Sequence, residues 1–155
     1  MVYWQSVAIV LGMFACCAAQ SPAIQQPSHP RTKIEFRLAE TAPADGLTEA
    51  TTKEKGEKIY LHKEAVVSES DIRDARVVQN QSLHVFEIGV VFTNEGARKM
   101  AEATRNHIGR LMAILIDDQV VVAPRVNSIV EAECQITGQF TKEEAEAIVR
   151  GLNKK

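Results

Sequence analysis

The stretch Asn94–Ile116 (NEGARKMAEATRNHIGRLMAILI) decides the fold, because it joins an amphipathic helix to an apolar run of strand length. Its first part, Asn94–Ile108, carries apolar residues at spacings of three and four, which is typical of a helix that buries one face. Gly109 follows, and glycine is the usual residue where a helix ends in a left-handed turn. Leu111–Ile116 is then a predicted strand. The apolar stripe of the helix consists of Ala97, Met100, Ala101, Thr104 and Ile108.

A polar interruption after this strand predicts a β-hairpin. Residues 117–119 (DDQ) separate it from a second apolar run, Val120–Val126, although they lack the glycine that usually supplies a positive φ in such turns. Pro124 has no N–H to donate, so it either makes the second arm an edge strand or ends that arm.

Alternation of apolar and polar residues predicts further strands on both sides of the hairpin. Between the first two strands, Glu40–Lys58 is rich in Thr, Glu, Lys and Gly and is predicted to be a long polar loop. Ser68–Ile72 has a capping pattern that predicts a turn or a single helical turn. The predicted strands are Lys33–Ala39, Lys58–Val67, Asp74–Gln79, Leu83–Phe92, Leu111–Ile116, Val120–Val126 and Glu131–Thr137.

A second helix is predicted at Phe140–Leu152, where Thr141 and Glu144 have the spacing of a capping box. Two helices with one apolar face each are expected to cover one face of a mainly antiparallel sheet. The sequence therefore predicts an α+β fold, as one domain over residues 33–153, with both amphipathic helices packed on one face of the sheet.

Residues 1–19 contain no charged side chain and predict a secretory signal peptide. The apolar run Val7–Phe14 is too short to span a membrane by itself. The whole uncharged segment nearly reaches the roughly 20 residues that a span needs, so a signal anchor stays open as an alternative.

The position of cleavage decides how the mature chain starts. Cleavage after Ala19 would release a soluble protein, whereas cleavage before Cys16 or Cys17 would leave a thiol for lipid attachment, as in a bacterial lipoprotein. Residues 20–32 are rich in proline and glutamine and are predicted to form a tether between this segment and the domain.

The composition excludes several functional classes. The chain has 155 residues, with 18 Lys plus Arg against 20 Asp plus Glu and a net charge of -2. This near balance argues against a nucleic-acid partner held by phosphate attraction. The chain has 1 Trp, 2 Tyr and 5 Phe residues, which are too few to form an aromatic surface on which bases or sugars stack. The length is sufficient for one domain with its own core.

No pattern in the sequence makes a good case for an enzyme, a metal site or a cofactor. The 4 histidines have no metal-ligand spacing. A small hydrolase that uses Asp117 or Asp118 with a histidine is the less favoured alternative. Adjacent residues of a strand point to opposite faces, and a polar hairpin turn accounts for both aspartates. Cys134 lies on the apolar side of a predicted strand, which indicates a buried hydrophobe rather than a reactive thiol.

The segment Phe92–Leu152 resembles the head subdomain of the first periplasmic domain of the SecD/SecDF protein-export family. The resemblance lies in a Gly-Ala helix that ends in threonine, a strand that turns into V-x-x-A-P, and the string ITGQFT before the last helix. Ser70-Asp71-Ile72 with Ala75 resembles the family's entry segment, so the similarity extends from about Leu61 to Leu152. The matching residues are Phe92, Gly96, Ala97, Thr104, Gly109, Ala113, Ile114, Asp117, Val120, Ala123, Pro124, Ile136, Gly138, Phe140, Thr141 and Ala145.

The sequence also departs from the family. Gln119 and Ala132 stand where the family commonly has glycine, at the hairpin turn and before the penultimate strand. The family continues from the last helix into membrane helices that serve proton-driven export, whereas this sequence stops at Lys155. We therefore do not expect translocase activity to be carried over from the family.

The resemblance implies a domain outside the cytoplasm that contacts unfolded or translocating polypeptide. We expect an exported, non-catalytic binding or accessory module, periplasmic or held at the membrane by a lipid anchor, whose partner is a polypeptide or an envelope protein. A structural subunit of a membrane complex is the alternative, and the oligomeric state stays open. The expected partner-binding site is an open sheet edge at Val120, Val122 and Pro124, since such an edge can accept an extended strand.

Overall fold

The computed structural model describes residues 31–81 and 84–153 of the chain. The predicted signal peptide and most of the predicted tether, with Cys16 and Cys17, lie outside the described residues. A short 3-10 helix, Glu69–Asp71, precedes the fourth strand, where the sequence predicts a single turn. The remaining elements are β1 (Ile34–Glu40), β2 (Thr48–Thr51), β3 (Lys58–Ser68), β4 (Ile72–Asn80), β5 (Val85–Phe92), α1 (Asn94–Asn106), β6 (Leu111–Ile116), β7 (Gln119–Val122), β8 (Glu133–Phe140) and α2 (Lys142–Leu152).

These strands divide between two sheets, in which every pairing is antiparallel. One sheet has five strands in the order β2-β3-β1-β6-β7, and the other has three in the order β4-β5-β8. Helix α2 packs against β4 and β5, while α1 packs against β3 of the first sheet and β5 of the second. The mainly antiparallel α+β fold is thus confirmed, and the division into two sheets is the feature that the sequence did not predict.

The main core joins both sheets and both helices. Phe36 of β1 meets Phe92 of β5 edge to face, with ring centroids 5.7 Å apart, so the two sheets are in direct contact. Met100 of α1 and Leu152 of α2 are buried in the same cluster. Full burial of side chains of this size contributes about 1.5–3 kcal/mol each, which makes this cluster the principal source of stability.

The other face of the five-stranded sheet encloses a smaller apolar cluster. Strand β6 supplies both clusters, because Met112 and Ile114 point into the main core while Ala113 and Leu115 point into the smaller one. A strand that is buried on both faces reads as a continuous apolar run, which explains the sequence LMAILI.

The two edges of the five-stranded sheet are joined by the segment that follows β2. The backbone N–H of Lys53 donates to the carbonyl of Val120 (2.8 Å), and that of Glu54 donates to the carbonyl of Val121 (3.4 Å). Strand β2 lies inside the predicted polar loop, so the prediction of an unstructured Glu40–Lys58 is wrong at this point. Ala50 is the one residue of β2 that packs against the smaller cluster, and one apolar residue leaves no alternation to detect.

Helix α1 begins where the sequence predicts and ends two residues earlier. The Thr93 hydroxyl caps its start by accepting the Gly96 N–H (3.0 Å). The helix ends at Asn106, and Gly109 has φ of +83°, so the chain leaves the helix in a left-handed turn. Ile108 therefore lies beyond the helix and is 53% exposed, which corrects its place in the buried stripe.

The hairpin turn and the start of α2 are confirmed. Asp117 and Asp118 have φ of +49° and +64°, the two positive values of a type I′ turn, and aspartate adopts this region more readily than most residues. The Thr141 hydroxyl accepts the N–H of Glu144 (3.2 Å), and the Glu144 carboxylate accepts the N–H of Thr141 (2.9 Å). These two bonds complete the predicted capping box.

Candidate binding cavity

An apolar cavity of about 280 Å³ opens beside the contact between the two sheets. Its floor comes from β1, α1 and β6, and its wall is the connector that joins β7 to β8, residues 123–132. The apolar lining residues are Phe36, Met100, Met112, Ile114, Pro124, Val126, Val130 and Cys134. Methionine side chains are flexible and polarisable, so a lining that contains two of them can adapt to apolar groups of different shape.

Backbone hydrogen bonds hold the first half of the connector against the end of α1 and the start of β6. The Met112 N–H donates to the Pro124 carbonyl (2.9 Å). Val126 bonds twice, because its carbonyl accepts the N–H of Gly109 (2.8 Å) and its N–H donates to the carbonyl of Arg110 (2.9 Å). The wall of the cavity is therefore fixed by main-chain contacts and not only by side-chain packing.

Thr104 holds the second half of the connector. Its hydroxyl donates to the Met100 carbonyl (2.7 Å) within α1 and accepts the N–H of Val130 (3.0 Å) from the connector. The residue is 2% exposed, so both bonds lie away from water. Valine at this position would fill the same space but would leave the Val130 N–H without its partner.

The mouth of the cavity is polar. Asn127, Ser128 and Gln135 lie there with Arg125, the one charged residue of the lining. Cys134, on the cavity side of β8, is mostly buried, and this burial raises the pKa of its thiol to about 12. At neutral pH the thiol is protonated and acts as a small apolar group, as the sequence predicts.

The three residues of the predicted partner-binding edge lie in different environments. The Val120 side chain points into the smaller cluster, and its carbonyl is taken by Lys53, so the edge is already paired there. Val122 packs against the main core. Pro124 is exposed and lies on the rim of the cavity. The role of these residues in partner binding stays a prediction, but the expected open edge is covered at Val120.

Asp117 and Asp118 bind Lys33, the residue before β1. One Asp117 carboxylate oxygen accepts the Lys33 backbone N–H (2.9 Å), and one Asp118 oxygen accepts from the Lys33 ammonium (2.7 Å). The hydrogen bond from Lys33 lowers the pKa of Asp118, which makes this carboxylate a weaker proton acceptor. Both side chains thus have a structural partner, and the geometry gives no support to the hydrolase alternative.

Of the three histidines in the described residues, His84 lies exposed in the turn before β5, and the other two are engaged elsewhere. His62 Nε2 lies 3.3 Å from a Glu40 oxygen that also accepts from Arg110 (2.7 Å), and His107 Nδ1 lies 2.7 Å from the Ala103 carbonyl. Over residues 31–81 and 84–153 there is no group of three or more His, Cys, Asp or Glu side chains that could hold a metal ion.

The family model "SecDF, P1 head subdomain" matches residues 44–154, which is most of the chain. This chain belongs to the SecDF P1 head family. The structure explains several residues that the family pattern shares with it, because Thr104 holds the cavity wall, Pro124 lies on its rim and Gly109 adopts a left-handed conformation.

Relatives of known name support the same assignment. The protein translocase subunit SecD of Elusimicrobium minutum is 33% identical over 108 residues, which are 70% of this chain and 22% of that protein. The protein translocase subunit SecDF of Thermus thermophilus is 38% identical over 80 residues, or 51% of this chain and 11% of that protein. The P1 head chain therefore spans about a fifth or less of the length of these curated relatives.

A solved structure has the same fold. The crystal structure of SecDF in its super-membrane-facing form is 26% identical with a TM-score of 0.64, over 80% of this chain and 19% of that one. Within the described part of this P1 head protein, neither helix is long and apolar enough to cross a membrane.

Sequence reasoning did not find most of the cavity. Its lining residues come from β1, α1, β6, the connector and β8, and no short motif joins them. The available signal was the apolar character of Val126 and Val130 in a connector that is otherwise partly polar, since both residues line the cavity.

Proposed function

We propose that this chain is an exported, non-catalytic accessory module for protein export that binds extended polypeptide, or an envelope protein, through the cavity between its sheets. The observation that carries the proposal is the apolar cavity with a fixed wall and a polar mouth. Membership of a family whose named relatives are protein translocase subunits supports a place in protein export.

The size of the cavity suits a large apolar side chain. A dry cavity of about 150 Å³ in an engineered protein binds benzene, and this one measures about 280 Å³. Polar groups at the mouth, from Asn127 and Ser128 among others, are available to the backbone of a bound segment. The combination fits an extended chain that inserts one apolar residue and leaves its main chain at the surface.

Filling the cavity tests the proposal. Ser128 is exposed and lines the mouth, so Ser128→Trp places an indole in the cavity without replacing a core residue. The probe is a fluorescein-labelled Gly/Ser peptide with a central Leu-Phe pair, and anisotropy reports its binding. We expect saturable binding to the native chain and a loss of about tenfold or more in affinity for the variant, which is about 1.4 kcal/mol.

Ser70→Trp is the matched control. Ser70 is also an exposed serine, but it lies in the 3-10 helix and does not line the cavity. Its variant should bind the peptide like the native chain. Absence of saturable peptide binding to the native chain, or equal loss in both variants, would overturn the proposal.

A structural subunit of a membrane complex is the second candidate, and two exposed apolar residues favour it. Ile108 and Ile129 are 53% and 43% exposed, and each is adjacent to a residue that holds the connector or lines the cavity. A contiguous exposed apolar patch marks an interface, and a partner that covers both isoleucines would make them part of one. Stable recovery of integral membrane proteins in a pull-down, lost in the Ile108→Ser plus Ile129→Ser variant, would favour this role.

Lipid attachment forms a separate part of the proposal. Cys16 or Cys17 would carry the lipid if the signal is of the lipoprotein type, and both lie outside the described residues. The intact mass of the mature protein decides the matter, because a diacylated N-terminal cysteine and an unmodified Gln20 differ in both sequence and mass.

A further inference from the structure

We infer that the cavity selects polypeptide segments in which an acidic residue neighbours the inserted apolar residue, and that Arg125 makes this selection. The inference rests on the proposed function and adds to it the chemistry of the bound segment. It starts from the charge distribution at the mouth, where Arg125 is the one charged residue among the lining residues.

The Arg125 guanidinium is oriented but has no anionic partner. One of its terminal nitrogens donates to the Gly109 carbonyl (2.7 Å), which fixes the direction of the group beside the mouth. In the described part of the chain, no carboxylate lies within ion-pair distance of it, although most other arginines there have one. A guanidinium presents several donors in one plane and pairs well with a carboxylate.

A second hollow on the other side of Arg125 leaves the charge of this residue uncompensated. Pro124 and Arg125 form a ridge between the cavity and this hollow, whose charged lining residues are Lys55, Glu57, Lys58 and Arg125. Lys58 is paired with Glu49 (2.9 Å). Lys55 is offset by Glu57 of the same lining, so Arg125 supplies the net positive charge along the ridge. A segment that crosses the ridge therefore gains from a negative charge.

The ion pair between Arg125 and the acidic residue of the bound segment would form at the rim of the cavity and not in the core. This position sets the size of the expected selectivity. Arg125 is exposed, and exposed ion pairs contribute modestly and are screened by salt. We expect a selectivity of about three- to fivefold between an acidic and a neutral neighbour at low ionic strength, which is within the range for such pairs. A lysine at the same place should weaken binding further, since it meets like charge.

Three peptides that differ at one position test the inference on the full chain. Each is the fluorescein-labelled Leu-Phe peptide, with Asp, Asn or Lys next to the Phe. We expect affinity in the order Asp, Asn, Lys, with the differences shrinking near 1 M salt, where the screening length is only about 3 Å. In Arg125→Gln the three affinities should become equal, while Arg125→Lys, which keeps the charge, should retain the order.

Arg105→Gln is the matched control. Arg105 is also exposed, has no carboxylate partner in the described part of the chain, and lies in the last turn of α1 without lining the cavity. Its variant should keep the native preference. Equal affinities of the three peptides for the native chain, loss of the preference in Arg105→Gln, or its loss in a folded Arg125→Lys would each overturn the inference. Failure of all three peptides to bind would instead overturn the proposed function. A chain dimer that must dissociate before peptide binds would also overturn the inference, because a second copy would then be the occupant.

Discussion

Gly151 of α2 lies directly against Thr32, the residue that leads into β1, and no side chain could stand between them. A methyl group built on Gly151 would overlap the Thr32 hydroxyl and come within 3.0 Å of its backbone nitrogen. Two residues further on, the Asn153 side chain accepts the N–H of Ala75 (3.0 Å) and donates to its carbonyl (2.8 Å). The end of α2 is thus bound to both the beginning of the domain and the outer edge of the three-stranded sheet.

This contact predicts that Gly151→Ala destabilises the protein. Alanine ordinarily stabilises a helix over glycine by up to about 1 kcal/mol, but overpacking costs about 1–3 kcal/mol. We expect a net loss of about 1–2 kcal/mol in the free energy of unfolding, measured by urea denaturation. Thr32→Gly removes the obstructing hydroxyl and Cβ, so Gly151→Ala should cost clearly less in that background. An additive double variant would contradict the steric explanation.

Thr104→Val should weaken both the fold and the cavity. The variant keeps the shape of the side chain but leaves the Val130 N–H unpaired, and such a group costs about 1–3 kcal/mol when buried. The connector should then detach from α1, so amide hydrogen exchange at Val130 should accelerate and peptide affinity should fall. Thr137→Val on the exposed side of β8 is the control, and its stability should change by less than about 0.5 kcal/mol. Unchanged exchange at Val130 would show that Thr104 does not hold the connector.

The sequence predicts those elements whose signals are local. The capping box of α2 needs only Thr141 and Glu144, and the strand β6 needs only its run of six apolar residues, so both are found where expected. Strand β2 is missed because three of its four residues are polar and because it pairs with a single strand, the neighbouring β3. Its single apolar residue, Ala50, leaves no alternation to detect, so only the pairing with β3 defines it.

The cavity is unpredictable for a related physical reason. Its walls are brought together by contacts between residues far apart in the chain, such as Thr104 with Val130 and Phe36 with Phe92. The sequence did mark Pro124 and Thr104 through the family resemblance, but it could not indicate that they border the same space. The expected open edge at Val120 is covered for the same reason, since Lys53 reaches it from a segment that looked like a loop.

Asp71 joins the 3-10 helix to α1, and its loss should be costly. Its side chain is 10% exposed, and its two oxygens accept from the Ser68 N–H (3.2 Å) and the Lys99 ammonium (2.9 Å). Asp71→Ala removes both bonds and should cost about 1.5–3 kcal/mol in urea denaturation. Lys99→Met removes the partly exposed ion pair alone and should cost about 1 kcal/mol or less. Equal losses would mean that the ion pair, and not the bond to the backbone, carries the effect.

The Asp71 backbone also explains a glycine of the family pattern. Its carbonyl accepts the Thr93 N–H (2.8 Å) at the start of α1, and a methyl group on Gly96 would overlap that same carbonyl oxygen. Because the obstruction is backbone, no rotamer change can relieve it. Gly96→Ala should therefore reduce stability by about 1–3 kcal/mol, measured by urea denaturation. Gly56→Ala is the comparison, because Gly56 has open space around it but φ of +67°. Its loss of stability should be smaller than that of Gly96→Ala and should reflect backbone strain alone.

Acid should weaken the start of α2 through Glu144. The hydrogen bond from the Thr141 N–H, more than the nearby Lys53 ammonium, lowers the pKa of Glu144 below its ordinary 4.5. The unfolded chain therefore binds more protons than the folded one between the lowered value and 4.5, so this contribution is complete above that window and is lost as the pH falls through it. Glu144→Gln keeps an acceptor for the capping box but cannot titrate. Because it lacks the charge, its stability should lie slightly below that of the native chain near pH 7 and fall less on acidification, so that the difference vanishes as the pH falls through the window.

The measurement is the free energy of unfolding in urea at a series of pH values from neutral to about 3, which spans the ordinary range of glutamate titration. Glu143→Gln is the matched control, because this neighbouring glutamate lies in the same first turn of α2 but does not accept the Thr141 N–H. It shares the favourable position near the helix N-terminus, so any effect common to both variants belongs to the helix dipole. The part that is specific to Glu144→Gln belongs to the capping bond. If the two variants showed the same pH dependence, the capping bond would not be the source of the lowered pKa.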